Sequence, residues 1–430
     1  MNTVREVLQF VRDNQVKFVR LTFADLFGTQ KNITLVAEEL PRAFEHGVSF
    51  DASAVAGFMN VEESDLFLFP DPSTVSLLPW RSEQGATIRF FCNIRRPDGT
   101  PFEGDCRNLL LRAQDDLARK GYLCQIGSEC EFYLFEKSSG QPQPLDRGGY
   151  MDVSPLDKGE DVRKRICVAL EALGIQPLTA HHEQGPGQNE IDFRYNDAAV
   201  AADDVVTFRT VVRTVADTLG LTASFLPKPL PDSAGSGMHV NLSLLKNGEN
   251  LFARQANKSE TESFIAGILN RIKEISLFCN PLANSYERLG EYEAPRYVSW
   301  SRENRSQLVR IPAASGADSR MELRSPDPSC NPYLAYALIL RAGAEGLEHS
   351  MRLAPPADLN LYEAIDPPYE ALPADLGEAI AFAERSDFVR AVLPPSVFAR
   401  FLAAKKQEWE DYQKAIDKRE YTLRRYLSRI

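Results

Sequence analysis

The hydrophobic pattern at the start of the chain is first helical and then strand-like. Residues 3–15 carry apolar side chains at helical spacing, which predicts a short amphipathic helix. VKFVRLTFADLFG then alternates apolar and polar residues and ends at Gly28, a pattern typical of a strand that runs into a turn. A second β-rich stretch covers residues 65–94. The first hundred residues therefore predict a small, strand-rich unit.

The segment RRPDGTPFEGD (95–105) is dense in Pro, Gly and Asp, which indicates a linker. We place a domain boundary there, between residues 1–103 and 104–430. Beyond it, strands and helices mix in no repeating order. The pattern predicts a strand over 127–136 and helices over 107–120, 161–173, 203–220, 331–349 and much of 395–430.

Three strand-like segments carry polar or ionisable residues at every second position, and such residues share one face of a sheet. These are Glu129 and Glu131 in GSECEFYLF, His239, Asn241 and Ser243 in GMHVNLSL, and Arg320, Glu322 and Arg324 in SRMELRSPD. A fourth segment, HHEQGPGQNEI, adds Glu183 and Glu190. Any one segment fits the solvated face of an antiparallel sheet, but four together favour a site.

Carboxylates placed this close repel one another unless cations neutralise them. Hard oxygen ligands with one imidazole suit Mg²⁺ or Mn²⁺. Arginines nearby indicate recognition of phosphate or carboxylate. NRSQLVRIP contributes Arg305 and Arg310, for which a solvated strand face is the alternative. YERLGEYEAP places Arg288 and Glu293 in a loop that is a candidate lid. The residues predict a metal-dependent site for an anionic, phosphorylated substrate.

Composition narrows the class of protein. The 430 residues include 49 basic and 60 acidic side chains, a net charge of −11, which argues against a protein that holds nucleic acid mainly by phosphate contacts. Seven scattered cysteines without a CxxC pair favour a reducing cytosol. No signal peptide or membrane span is expected. The full GxGxxG and GxxxxGK[ST] motifs are missing, so neither a Rossmann site nor a P-loop is supported.

Ordered motifs along nearly the whole chain resemble the short, α-type branch of type I glutamine synthetase. They are FDASAVAGF (50–58), ESDLFLFPDPST (63–74), GSECEFYLF (127–135), HHEQGPGQNEIDF (181–193), FLPKPL followed by GSGMHVNLSL (225–244), NSYERLGEYEAP (284–295), NRSQLVRIP (304–312) and RMELRSPDPSCNPYLA (320–335). The resemblance implies an α+β fold, with an N-terminal β-grasp domain and a larger catalytic domain built on an antiparallel sheet. It also implies a homo-oligomer, a dodecamer of two hexameric rings, with active sites between neighbouring subunits.

The resemblance also implies ligation of L-glutamate and ammonia, with ATP as co-substrate and Mg²⁺ or Mn²⁺ as cofactor. Glu131, Glu183 and Glu190 match the ligands of one metal, and Glu129, His239 and Glu322 those of a second. Gly235, Arg288 and Arg324 match the glutamate site. Arg305 and Arg310 match phosphate contacts, while Asn241, Ser243, Arg320 and Tyr195 fall in the nucleotide site. Asp51, Tyr150 and Glu183 match the ammonium site, and Glu293 matches the flap carboxylate.

Several positions depart from the family pattern. Ala54 replaces a Ser that lines the ammonium site, the flap RLGEYEAP is one residue shorter than RLVPGYEAP, and Asn60 replaces an Arg linked to feedback control. The first hypothesis is a glutamate–ammonia ligase. The second is a γ-glutamyl–amine ligase that takes a polyamine, an alkylamine or an amino alcohol. The third is a regulatory homologue that no longer turns over.

Overall fold

The computed structural model describes residues 3–59, 61–80, 84–137, 141–253, 258–427 and 429–430, so Asn60 lies outside the described residues. The helices are α1 (Val4–Asp13), α2 (Leu40–His46), α3 (Cys106–Arg119), α4 (Glu160–Ala172), α5 (Ala198–Thr218), α6 (Lys258–Cys279), α7 (Pro332–Glu348), α8 (Leu376–Arg385), α9 (Asp387–Val392), α10 (Pro395–Lys414) and α11 (Lys418–Tyr426). Helices and mixed sheets together give the expected α+β class.

The strands form two sheets. The first contains β1 (Val16–Ala24), β2 (Gln30–Val36), β3 (Val48–Asp51), β4 (Asp65–Pro70), β5 (Ser76–Leu77) and β6 (Ala86–Arg95). The second contains β7 (Tyr122–Glu136), β8 (Gln143–Pro144), β9 (Pro177–His182), β10 (Gln188–Phe193), β11 (Asn196–Asp197), β12 (Leu221–Ser224), β13 (Met238–Lys246), β14 (Glu249–Asn250), β15 (Trp300–Arg302), β16 (Val309–Ile311) and β17 (Met321–Leu323).

The N-terminal sheet has the order β2-β1-β6-β4-β3, with β5 added at β6. β1 and β6 pair in parallel, whereas the other described pairs in this sheet are antiparallel. Its apolar face forms a separate core that includes Val7 of α1 and Leu40 of α2. The predicted helix and the predicted strand-rich unit are both confirmed, and Gly28 adopts the positive φ of a turn.

The second sheet is built around β7, whose 15 residues make it the longest described strand. Its main order is β15-β16-β17-β13-β7-β10-β9. The alternate residues Cys130, Phe132 and Leu134 point into the main core and have no exposed surface. Helices α3, α5 and α7 contribute to the same core. One face of β7 is therefore fully packed, and the other is left for polar side chains.

The helix predictions hold within a few residues, except that α5 begins earlier than predicted. The patterns did not predict α6, although it is a 22-residue helix. It is buried on most sides against α7 and α8, so its sequence lacks the one-sided apolar stripe that reveals a surface helix. Within the described ranges, no helix combines the length and hydrophobicity needed to cross a bilayer.

Glycines set how closely α6 and α7 approach. A Cβ added at Gly346 would overlap the carbonyl oxygen of Ser263 and lie 2.8 Å from the backbone nitrogen of Gly267. Such a contact is closer than real Cβ atoms allow, and both partners belong to helix backbone. The crossing therefore requires glycine, even though glycine is a poor helix former.

We expect Gly346→Ala to lower the free energy of unfolding by about 2 kcal/mol, because overpacking outweighs the gain of roughly 1 kcal/mol in helix propensity. Urea unfolding followed by circular dichroism measures the change. Val168→Ala on α4 is the control, since Val168 is exposed and should shift stability by less than about 0.5 kcal/mol. A Gly346→Ala protein as stable as the parent would contradict this account of the crossing.

Candidate active site

Strand register brings the predicted polar segments side by side. His239 on β13 lies opposite Glu129 on β7, and Glu190 on β10 lies opposite Glu131. On the other side of β13, Glu322 of β17 pairs with Arg310 of β16. The sequence pattern alone does not contain these pairings, because they depend on which strands become neighbours.

Glu129, His239 and Glu322 form the first cluster. The Nδ1 atom of His239 lies 3.1 Å from Glu129 Oε2 and 3.3 Å from Glu322 Oε1. One ligand atom from each of the three residues falls within 4.8 Å of the others. The donor set of two carboxylates and one imidazole suits a divalent cation that prefers oxygen and nitrogen ligands.

Glu183 and Glu190 form a second cluster with His181, again within 4.8 Å. His181 Nε2 lies 3.0 Å from Glu183 Oε1. Glu131 lines the same cavity but lies outside this tight group. Its Oε2 instead accepts hydrogen bonds from the backbone nitrogen of Gly237 at 2.8 Å and from Gln188 Nε2 at 3.1 Å.

Burial and mutual repulsion separate the pKa values of these carboxyl groups. Desolvation, with the nearby charge of Glu183, raises the pKa of Glu131 to about 7. Desolvation also raises the pKa of Glu190 well above its usual range, with Asp192 adding to the effect. Burial also opposes ionisation of Glu129, but hydrogen bonds from His239 and Asn241 outweigh this effect and hold its pKa at about 2. The cluster therefore favours protons or cations.

Arginines border these acids. Arg310 Nη1 donates to Glu322 Oε2 at 2.9 Å, and Arg324 Nε donates to Glu322 Oε1 at 3.2 Å. Arg288 is buried and donates from Nη1 to the carbonyl of Ser325 at 2.9 Å. Arg324 also donates to the backbone carbonyls of Arg305 and Glu293. Buried guanidinium groups fixed in this way present a rigid positive surface to an anion.

A cavity of about 430 Å³ collects most of the predicted site residues. Its lining includes fourteen of them: Glu129, Glu131, Tyr150, Glu183, Glu190, Gly235, His239, Arg288, Glu293, Arg305, Arg310, Arg320, Glu322 and Arg324. Four do not line it. Asn241 donates a hydrogen bond to Glu129 Oε1 at 2.8 Å, and Ser243 donates one to the carbonyl of Ser319. Tyr195 packs against Gly127, and Asp51 belongs to the N-terminal sheet.

The lining also contains residues that sequence reasoning passed over. Asp192 follows Glu190 by two positions on β10, so strand alternation starting from Glu190 would have found it. Gln188 was missed, although it joins Glu131 to the carbonyl of Gly235 at 3.1 Å. His181 also borders the cavity, and its ring contacts that of Tyr150 edge-on at 5.5 Å.

A third acidic cluster lies behind the cavity. Asp146, Asp157 and His182 are buried and close together. Each already has partners: His182 Nε2 lies 2.9 Å from Asp146 Oδ1, and Arg163 pairs with Asp157. His182 Nδ1 lies 2.6 Å from the carbonyl oxygen of Glu183. We interpret this cluster as support for the end of β9, which Glu183 directly follows.

Comparison with known families matches both parts of the chain. Residues 15–97 match the model of the glutamine synthetase β-grasp domain, and residues 103–424 match that of the glutamine synthetase catalytic domain. The expected fold class, a β-grasp domain followed by a larger catalytic domain, is therefore confirmed. A glutamine synthetase of Methanosarcina mazei is 45% identical, over 100% of this chain and 98% of the relative. One of Clostridium saccharobutylicum is 41% identical, over 99% of each.

Solved structures agree in fold. A GmaS/ADP complex superposes with a TM-score of 0.88 at 29% identity and covers 99% of both chains. The glutamine synthetase of Plasmodium falciparum, solved by cryo-electron microscopy, gives a TM-score of 0.89 over 98% of this chain and 99% of that one. Its identity of 23% supports a shared fold alone.

The raised pKa values predict how metal-free protein responds to pH. A carboxyl group with a raised pKa stabilises the fold below its unfolded value, and this stability is lost as pH rises through the folded value. Burial raises the pKa of Glu131 to about 7 and that of Asp192 to about 6. We expect the free energy of unfolding, measured with urea in a chelator, to fall by about 2 kcal/mol between pH 5 and pH 7.5.

Glu131→Gln should flatten much of that decline, because the amide carries no charge at either pH. Asp217→Asn is the matched control, since Asp217 forms an exposed ion pair with Lys137 and should leave the slope unchanged. The groups whose pKa is lowered to about 2, Glu129 and Asp146, act below this window. An equal slope in parent and Glu131→Gln proteins would count against the repulsion described above.

Proposed function

The chain belongs to the glutamine synthetase family, and from this premise we propose that it joins L-glutamate and ammonia into L-glutamine at the expense of ATP. The observation that carries the proposal is the cavity itself. Two clusters of carboxylate and imidazole groups line the same cavity as Arg288, Arg305 and Arg310. That combination suits phosphoryl transfer to a carboxylate, in which positive groups offset the charge on phosphate oxygens.

The residues fit divalent metals. Repulsion raises the pKa of Glu131 and Glu190, and the ligand atoms of each cluster converge within 4.8 Å. We assign Glu129, His239 and Glu322 to one cation. Glu183 and Glu190 hold another, with Glu131 beside them and His181 as a candidate partner. When bound, Mg²⁺ or Mn²⁺ supplies positive charge to phosphate oxygens.

We assign glutamate binding to Arg288, Arg324 and the backbone at Gly235. Both guanidinium groups are buried and fixed by carbonyl oxygens, so little conformational entropy is lost when they bind a carboxylate. The γ-carboxylate of glutamate attacks the γ-phosphorus of ATP. A new P–O bond forms, the bond to ADP breaks, and γ-glutamyl phosphate results.

Arg305 and Arg310 contact the phosphoryl group in this proposal. Arg310 shares the carboxylate of Glu322 with Arg324. Because Glu322 keeps Arg324 as a partner, Arg310 can leave it to contact the phosphoryl group. Arg320 donates from Nε to Asn241 at 2.9 Å, and with Ser243 and Tyr195 these residues form the nucleotide side. Ser243 and Tyr195 do not line the cavity as described, so in this proposal they contact the nucleotide beyond its edge.

Ammonia then displaces phosphate from the intermediate. Tyr150 and Glu183 border the cavity where an ammonium ion would enter, and Glu293 on the flap accepts a proton from the adduct. Asp51, assigned to deprotonate ammonium, is exposed on the N-terminal sheet and outside the cavity. We therefore propose that Asp51 serves the site of a neighbouring subunit, within a dodecamer of two hexameric rings.

A second candidate is a γ-glutamyl–amine ligase with the same activation step and a larger acceptor. Ala54 and the shortened flap favour it, because both remove bulk near the proposed ammonium site. The similarity to the GmaS/ADP complex also supports it. For either enzyme we propose a cytoplasmic location, since all seven cysteines are free thiols.

The acceptor decides between these candidates. Purified protein receives ATP, Mg²⁺ and glutamate with ammonium, methylamine, ethanolamine or a polyamine, and phosphate release and product mass are measured. We expect ammonium to give the highest kcat/KM and glutamine as product. Turnover with a larger amine alone would establish the second candidate, and Ala54→Ser should then shift preference toward ammonium. Silence with every acceptor would contradict both and leave the regulatory hypothesis.

The shared site has its own test. Asp51→Asn and Glu322→Gln should each be nearly inactive alone. Co-expressed in equal amounts, they should recover about a quarter of parental activity, since one pairing of neighbours in four restores an intact N-terminal side and an intact catalytic side. Two catalytic-side variants, Glu322→Gln and Glu190→Gln, serve as the control and should recover none. Recovery absent from the first mixture would place Asp51 in its own subunit's site or in none.

A further inference from the structure

A second cavity lies away from the candidate active site. It measures about 740 Å³, against about 430 Å³ for the active-site cavity, and the two share no lining residue. The turn at residues 25–31 between β1 and β2 forms one side. Helix α5 and the C-terminal segment from α10 onward form the others. The cavity therefore joins the N-terminal unit to two separate parts of the larger one.

Two arginines one helical turn apart on α5 line this cavity. Arg209 is only 7% exposed, donates from Nη2 to the carbonyl of Cys330 at 2.8 Å, and leaves its buried Nε without a partner. Arg213 also has a buried, unpartnered Nε, and its guanidinium lies over the ring of Phe225 at 5.7 Å. Across the described ranges, neither arginine has an acidic side chain within ion-pair distance.

Five of the six other charged side chains that line the cavity belong to ion pairs, and among the described residues Arg429 is the exception. Asp25 lies 3.6 Å from Lys31, and Glu408 accepts from Lys405 at 2.9 Å. Arg425 lies 3.6 Å from Asp411. The two arginines of α5 are thus left with uncompensated charge. Desolvation, followed by repulsion from Arg209, lowers the pKa of Arg213 to about 10.

The walls opposite the arginines are partly aromatic. Phe27 stacks on Phe401 with ring centroids 5.6 Å apart, and Leu282 and Tyr426 also line the space. A site with two unpaired guanidinium groups and an apolar wall suits a ligand with an anionic end and a hydrocarbon or aromatic body. Neither feature is required by the proposed ligation chemistry, which occupies the other cavity.

We propose that this cavity is a binding site for a small organic anion, whose carboxylate or phosphate group is held by Arg209 and Arg213 and whose apolar part packs against Phe27 and Phe401. An occupant contacts the β1–β2 turn, α5 and the C-terminal segment at once. Its binding therefore stabilises the arrangement of these three parts against one another.

Chemical modification of Arg213 tests the proposal at the residue concerned. The full-length protein is treated with phenylglyoxal, with inorganic phosphate, succinate or phenyl phosphate present at constant ionic strength, and missed tryptic cleavage after Arg213 is measured by mass spectrometry. We expect saturable protection, strongest with phenyl phosphate if the site takes phosphate and with succinate if it takes carboxylate. Arg165, in an exposed pair with Asp161, is the internal control and should show no protection.

Variants separate this site from the active site. Arg213→Gln should fold normally, because the Arg213 side chain makes no hydrogen bond in the described structure, and it should lose the rise in melting temperature that the protecting anion gives. Arg209→Lys keeps a donor for Cys330 and should raise the anion concentration for half-protection by about tenfold. Arg310→Gln, in the other cavity, should leave protection intact. Absence of protection by all three anions, or protection unaffected by Arg209→Lys, would overturn the proposal.

Discussion

The period-two geometry of β7 is the constraint on which the rest of the molecule depends. Cys130, Phe132 and Leu134 have no exposed surface on one face, while Glu129 and Glu131 occupy the other. A shift of one residue in register would bury the carboxylates and expose the core. The large apolar core beneath β7 therefore fixes where two acidic side chains point, and it does so without any direct contact to them.

The neighbouring strands then add the side chains that complete the site. β13 contributes His239 beside Glu129, β10 contributes Glu190 beside Glu131, and β17 contributes Glu322. Glu190 and Glu322 bring like charges closer to the two glutamates of β7, so the arrangement costs folding free energy that the packed face helps to offset. The arginines around Glu322 offset part of that repulsion locally. The remaining imbalance is concentrated at Glu131 and Glu190, where a cation has the most to neutralise.

The sequence was sufficient for the parts that rest on local patterns. Alternation revealed three of the polar strand faces, and turn residues revealed the end of β1 and the irregular segment between β6 and α3. The sequence was insufficient for features that depend on which distant strands pair with one another. No local pattern says that Glu190 lies opposite Glu131 rather than on an edge strand, or that His181 joins Glu183. Helix α6 was missed for a related reason, since a helix buried on most sides has no periodic contrast to detect.

Structural clusters and binding sites in this fold differ in whether their buried charged groups have partners of opposite charge. Arg107 is satisfied by Asp203 and Asp71, and the Asp203 carboxylate also accepts from Tyr333. Those groups have as many partners as their chemistry requires, and they lock elements together. Arg209 and Arg213 lie on the same helix as Asp203 but keep unpartnered nitrogen atoms beside a large cavity. A buried cation without an anion costs stability, and we attribute the unpaired state of Arg209 and Arg213 to an anion that comes from outside the chain.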